Sequence, residues 1–221
     1  MSLPGFKTLL VGESGTGKSH VIRTLLRTGI QPIVLATEPG MRSLAKCRDP
    51  KCGVCAGVPA GASVPWAYVS PQAGTAEDIR KSAELINSRD LAGLCNFKDG
   101  NRKMFNQFIE VAKLNENFVD STGRSWGNVG TWNTDRCLVV DGLSSLGDMA
   151  MDSFVGRRPA YDKSDYGVAQ RAVKNMIVYW TCQMRAHVVL IAHITRGQDE
   201  AERAGKITVN TVGQKLAPEL P

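Results

Sequence analysis

Apolar residues in this chain gather in short runs that stop abruptly at polar ones. "FKTLLVG" (6–12), "IVLA" (33–36), "CLVVD" (137–141) and "HVVLIAH" (187–193) are each near-continuously hydrophobic and at most seven residues long. That is the pattern of strands buried on both faces. Between them, Val21, Ile22, Leu25 and Leu26 recur at helical spacing in "KSHVIRTLLRT" (18–28). Residues 75–88, 102–115 and 165–185 carry the same periodicity and predict helices, while "WAYVS" (66–70) and "KITVN" (206–210) predict short strands. Residues 46–65 are rich in Cys, Gly and Pro and read as an irregular excursion; Gly and Asn punctuate 121–134. Strands alternating with helices predict an α/β fold with a mainly parallel sheet covered on both faces.

Composition narrows this little. Of 221 residues, 43% are hydrophobic and 22% charged, ordinary for a globular protein. No apolar run approaches the ~20 residues that span a bilayer, and the N-terminus lacks a charged-then-apolar signal segment, so a cytoplasmic protein is expected. The net charge of +6 permits a nucleic-acid partner without requiring one. Six cysteines without a secretory signal argue against a disulfide framework. The closing "KLAPELP" has no helix-stop or tail signal, which leaves open whether the natural chain extends beyond Pro221.

"GESGTGKS" fits G-x-x-x-x-G-K-[ST], preceded by a predicted strand and followed by a predicted helix. Gly12, Glu13, Ser14, Gly15, Thr16, Gly17, Lys18 and Ser19 would form a phosphate-binding loop. Its glycines let successive N–H groups turn inward around phosphates. Lys18 would reach the β- and γ-phosphates of ATP, and the Ser19 hydroxyl would ligate Mg²⁺. Asp141, ending the run "CLVVD", suits the magnesium through its water shell.

In an open parallel sheet, ligands bind at the carboxyl ends of strands. Glu38 follows the strand after the phosphate-loop helix, so it should face the γ-phosphate, where a carboxylate can orient and deprotonate water. A small-molecule P-loop kinase would use a carboxylate there too. His193, ending "VVLIAH", is placed to sense the γ-phosphate and relay its presence to the following loop.

Together, the phosphate loop, "VLATEPG", "CLVVDGLSSL" and "VVLIAHITR" resemble the RecA-like ATPase core, and more narrowly the phage ATPases of single-strand annealing and recombination. The resemblance covers about 6–40 and 137–221; residues 41–136 carry no motif of that family. It implies one RecA-like domain over 1–221 with an inserted subregion at 41–136, a homo-oligomer with ATP at subunit interfaces, and single-stranded DNA as partner. It assigns Lys18, Glu38, Asp141 and His193 to catalysis, with His193 standing where RecA proteins usually have Gln. Lys215, in "TVGQKLAPEL", would act on a neighbour's nucleotide. AAA+ proteins carry their glutamate directly after the Asp of the second motif; here Gly142 follows Asp141, which sets the AAA+ reading aside. A third reading is a nucleotide-dependent loader with little turnover.

The DNA-facing loops implied by the resemblance are 156–165, with Arg157, Arg158 and Lys163, and 195–206, with Arg196, Arg203 and Lys206. Separately, "CRDPKCGVC" spaces Cys47, Cys52 and Cys55 so that a tight turn can aim thiolates at one zinc ion. Cys95 is the expected fourth ligand, because Cys137 and Cys182 fall in presumed core elements.

Overall fold

The computed structural model describes residues 4–40, 44, 51–70, 76–88, 106–155, 163–199 and 204–209. Five strands build a parallel sheet in the order β1-β7-β6-β2-β3. They are β1 (Lys7–Gly12), β2 (Gln31–Ala36), β3 (Trp66–Tyr68), β6 (Arg136–Asp141) and β7 (His187–Asp199). A separate hairpin joins β4 (Phe118–Val119) to β5 (Ser125–Gly127), and β8 (Ala204–Val209) pairs antiparallel with the distal part of β7. The mainly parallel α/β fold expected from the sequence is the fold observed.

Residues in each central strand alternate between two cores, as the pleat demands. Ile33, Leu35, Leu138, Val140, Val188 and Leu190 face one side. There they meet α3 (Gln107–Glu116), α4 (Leu143–Val155) and α5 (Lys163–Val178), with Phe118, Trp132 and Trp180. Val34, Ala36, Cys137, Val139, Val189 and Ile191 face the other. Their cover is Ile22 and Leu26 on the helix after the phosphate loop, with Leu44, Val64 and partly buried Val58 and Trp66. A further amphipathic helix, α2, spans Ala76–Ser88.

The helix expected over 18–28 is α-helical only at α1 (Lys18–Val21) and tightens into a 3₁₀ helix over Ile22–Thr28. There the Thr24 and Thr28 hydroxyls donate to the carbonyls three residues back, Val21 and Leu25, at 2.7 and 2.8 Å. The expected helix over 165–185 ends in a π-helical turn, Tyr179–Gln183, on which Cys182 is exposed rather than buried in the core. The periodicity reading passed over α4, although Leu143, Leu146, Met149 and Ala150 are buried along one stripe. Its Ser and Gly residues are weak helix formers, and burial overrides them. The strand expected to stop at His193 continues to Asp199, and of the predicted loop 195–206 the described residues 195–199 and 204–206 lie in the paired strands β7 and β8. β-Branched Ile194, Thr195, Ile207, Thr208 and Val209 favour that pairing.

Candidate functional site

Strand register sets the site. Gly12 pairs with His193 across β1 and β7, and Ala36 with Asp141 across β2 and β6. The carboxyl ends of β1, β2 and β6, and β7 at His193, therefore open onto one edge. A cavity of about 260 Å³ lies there, lined by Ser14, Gly15, Gly17, Lys18, Ser19 and His20, with Glu38, Asp141 and His193 across it.

The loop after β1 turns back through two glycines in left-handed conformations, Gly15 at φ 78° and Gly17 at φ 87°. A Cβ at either would be strained. Thr16 Oγ1 donates to the Glu13 carbonyl at 2.9 Å, closing the turn. Lys18 Nζ donates to the Gly12 and Glu13 carbonyls at 2.9 and 2.8 Å, which holds an ammonium inside the loop. The sequence-predicted phosphate-loop residues thus sit where a polyphosphate can be received by backbone N–H groups and one fixed cation.

Ser19 Oγ donates to Asp141 Oδ2 at 2.6 Å. Cis oxygens around an octahedral Mg²⁺ stand roughly 2.9 Å apart, so these two hard donors fit that ion with little movement. Burial pushes the Asp141 carboxyl above its ordinary range, and the Glu38 charge adds to it; the Ser19 bond and the charges of His193 and Lys18 oppose this. Ser19 and Asp141 would hold Mg²⁺ there, and the ion would neutralise phosphate charge.

Glu38 is gripped at both oxygens. Ser145 Oγ donates to Oε1 at 3.2 Å, and His193 Nε2 bonds Oε2 at 2.7 Å. The residue before it, Thr37, is fully buried, with its hydroxyl donating to the Gly142 carbonyl at 2.6 Å and its N–H to the Asp141 carbonyl at 2.9 Å. Sequence reasoning missed Thr37 and Ser145. A polar residue ending a buried strand and a Ser in the first turn after "VVDG" are the signals that were available. His193, expected to face the γ-phosphate as a sensor, here acts first on the carboxylate.

Gly142 has φ 108°, and a Cβ there would fall on Thr37 Oγ1 and lie 2.8 Å from Glu38 Cγ. The space a side chain at 142 would enter is already occupied by the side chains of Thr37 and Glu38, just past the end of β2. A residue larger than Gly at 142 would have to displace the Glu38 side chain.

Of the expected zinc ligands, Cys52 and Cys55 lie beside His20, while Cys47 and Cys95 fall outside the described residues. Burial pushes the Cys137 thiol up to about 12, against the opposing charge of Lys7. Of the expected nucleic-acid residues, Arg157, Arg158 and Arg203 lie outside the described residues, as does Lys215. Lys163 opens α5; Arg196 and Lys206 occupy neighbouring register positions on the β7–β8 hairpin.

A family model described as an AAA domain matches residues 5–221. That match overturns the exclusion of the AAA class drawn from Gly142. One position reports which strand carries the glutamate, whereas family membership follows from the pattern of the whole chain. No curated protein matches. Among solved structures, the pCW3 conjugation coupling protein TcpA, in monomer form with ATPgS, aligns at 16% identity over 85% of this chain with a TM-score of 0.27. The alignment covers 42% of that protein's length.

Proposed function

We propose, from the premise that the chain belongs to the AAA-domain family of P-loop ATPases, that it hydrolyses ATP with Glu38 as the base that activates water. The carrying observation is the double grip on Glu38 by His193 and Ser145, across one cavity from Lys18, Ser19 and Asp141. A strand-end carboxylate with no task needs no such positioning. In this reading Lys18 and the loop N–H groups hold the β- and γ-phosphates, and Ser19 and Asp141 hold Mg²⁺. Glu38 takes a proton from water aimed at the γ-phosphorus. His193 and Ser145 keep its carboxylate oriented.

The hydrolysis is proposed to serve single-stranded DNA in phage-type recombination or replication, in a homo-oligomer. In support, the β7–β8 hairpin starts beside His193 and carries Arg196 and Lys206. A strand shared by the γ-phosphate edge and a hairpin carrying cations among acids can link nucleotide state to backbone-phosphate contacts.

Glu38→Gln tests the base. Gln retains size and hydrogen bonding but cannot accept the proton, so ATP should bind nearly normally while phosphate release falls roughly 10²–10⁴-fold. Unchanged turnover would return Glu38 to an ordinary strand end. Wild-type phosphate release measured with and without single-stranded DNA tests the partner: stimulation is expected, and turnover only with a small acceptor would make the protein a kinase.

A further inference from the structure

His20 lies one residue beyond Ser19, on the helix of the phosphate loop, and is not needed by the hydrolysis just described. Its Nε2 stands 3.2 Å from Cys52 Sγ and 3.8 Å from Cys55 Sγ, and the three ligand atoms all lie within 4.8 Å of one another. A tetrahedral zinc, with its usual Zn–S and Zn–N bond lengths, would separate nitrogen from sulfur by about 3.6 Å and two sulfurs by about 3.8 Å. The observed nitrogen–sulfur distances straddle the first value. One imidazole nitrogen offers a single hydrogen or a single lone pair, which suits one thiol. Two thiols converging on that nitrogen are the arrangement a shared metal produces.

The cysteine pair is also held in place from behind. The N–H groups of Cys55 and Ala56 both donate to the Cys52 carbonyl, at 3.0 and 3.1 Å, folding a tight turn. The Arg27 guanidinium, farther along the same helical segment as His20, donates to the Gly53 and Val54 carbonyls. Arg27 therefore grips the carbonyl side of the turn while the thiols face His20. All three ligand residues are partly buried, which restricts water without sealing the site.

We propose that His20, Cys52 and Cys55 bind a zinc ion that fastens the 51–62 turns to the phosphate-loop helix. This ligand set differs from the four-cysteine site that spacing alone suggests, because it recruits a histidine 32 residues away from Cys52. Two thiolates and a neutral imidazole match zinc's preference for sulfur and nitrogen. They leave one position of the tetrahedron for a further donor. The proposal does not depend on the hydrolysis reading, since metal binding is measured without nucleotide.

Protein purified without chelators should hold about one zinc per chain by metal analysis. Cobalt-substituted protein should show the intense visible bands of tetrahedral coordination with thiolate charge transfer. His20→Ala and Cys52→Ser should each lower zinc affinity at least ~10-fold, whereas Cys182→Ser, at an exposed thiol, should leave it unchanged. The cadmium-113 resonance of wild-type protein distinguishes mixed nitrogen–sulfur from all-sulfur ligation without any substitution. It therefore stands even where a variant fails to fold. A mixed-ligand shift is expected. An all-sulfur shift, undiminished zinc in His20→Ala, or wild-type protein that stays metal-free in added zinc with Cys52 and Cys55 kept reduced would overturn the assignment.

Discussion

On one face of the sheet, Leu138, Val140 and Leu190 lie beneath three helices and the rings of Phe118, Trp132 and Trp180. On the other, Val139, Val189 and Ile191 meet the short α1 with its 3₁₀ extension and a stretch of turns over 51–65. The strands are shared, so both faces begin with equally apolar residues. Among the described residues, what differs is the cover. Helices carry their own backbone hydrogen bonds and bring large side chains to the core, whereas a layer of turns brings few and must be tethered by specific contacts. The thin face is where the phosphate-loop helix, Arg27 and the His20–Cys52–Cys55 cluster sit. The nucleotide edge draws on both faces, with Lys18 and Ser19 from one and Ser145 from the other, whereas the proposed metal belongs to the turn-covered face alone.

That contrast can be broken most forcefully at Trp180, which is fully buried and donates through Nε1 to Asn115 Oδ1 at 2.6 Å. Trp180→Ala should cost about 3–5 kcal/mol in denaturant unfolding. The loss should be the same with and without zinc, because Trp180 packs in the core on the opposite face of the sheet from the cover that the metal would fasten. On the thin face, Ile22→Ala should cost about 2–3 kcal/mol with metal bound, the cover being able to collapse in part. After chelation that cost should change by more than 0.5 kcal/mol, the mark of coupled neighbours. Strict additivity in both cases would mean that the thin face does not rely on the metal.

The smallest effect is at Asp120, on the helix-covered side. Burial pushes its carboxyl up, but hydrogen bonds from the Thr122 hydroxyl, Trp126 Nε1 and the Thr122 and Arg124 N–H groups outweigh this and hold it at about 2. Its folded value lies below the unfolded value near 3.9, so its stabilisation is complete above that pH and is lost as pH falls toward 2. Asp120→Asn should cost about 1–2 kcal/mol at neutral pH and flatten that acid limb in thermal melts. Zinc should leave at higher pH than this, since protons compete for its thiolates.

The helix-covered face and the phosphate loop were legible in sequence for different reasons. Buried parallel strands announce themselves as apolar runs, and a phosphate loop as glycines at fixed offsets before a Lys-Ser pair. Glu38, Asp141 and His193 were legible as the polar residues that end those runs, and strand register brings them to one edge. Ser145 and His20 were not, because each is ordinary in its own segment and acquires its partner only through tertiary contact. The zinc reading failed to include His20 for the same reason: spacing rules find ligands close in sequence, and His20 is far from the cysteines it meets. The extension of β7 past His193 was masked by the charged residues of 196–203, which read locally as a loop.

Gly142 makes the place of one side chain depend on the absence of another. A Cβ at 142 would meet Thr37 Oγ1 and Glu38 Cγ, so a larger residue there has to displace the Glu38 side chain as well as adopt a left-handed backbone. A fault at this glycine would therefore be felt first at the carboxylate of the neighbouring strand's end, and only afterwards in the packing of the sheet.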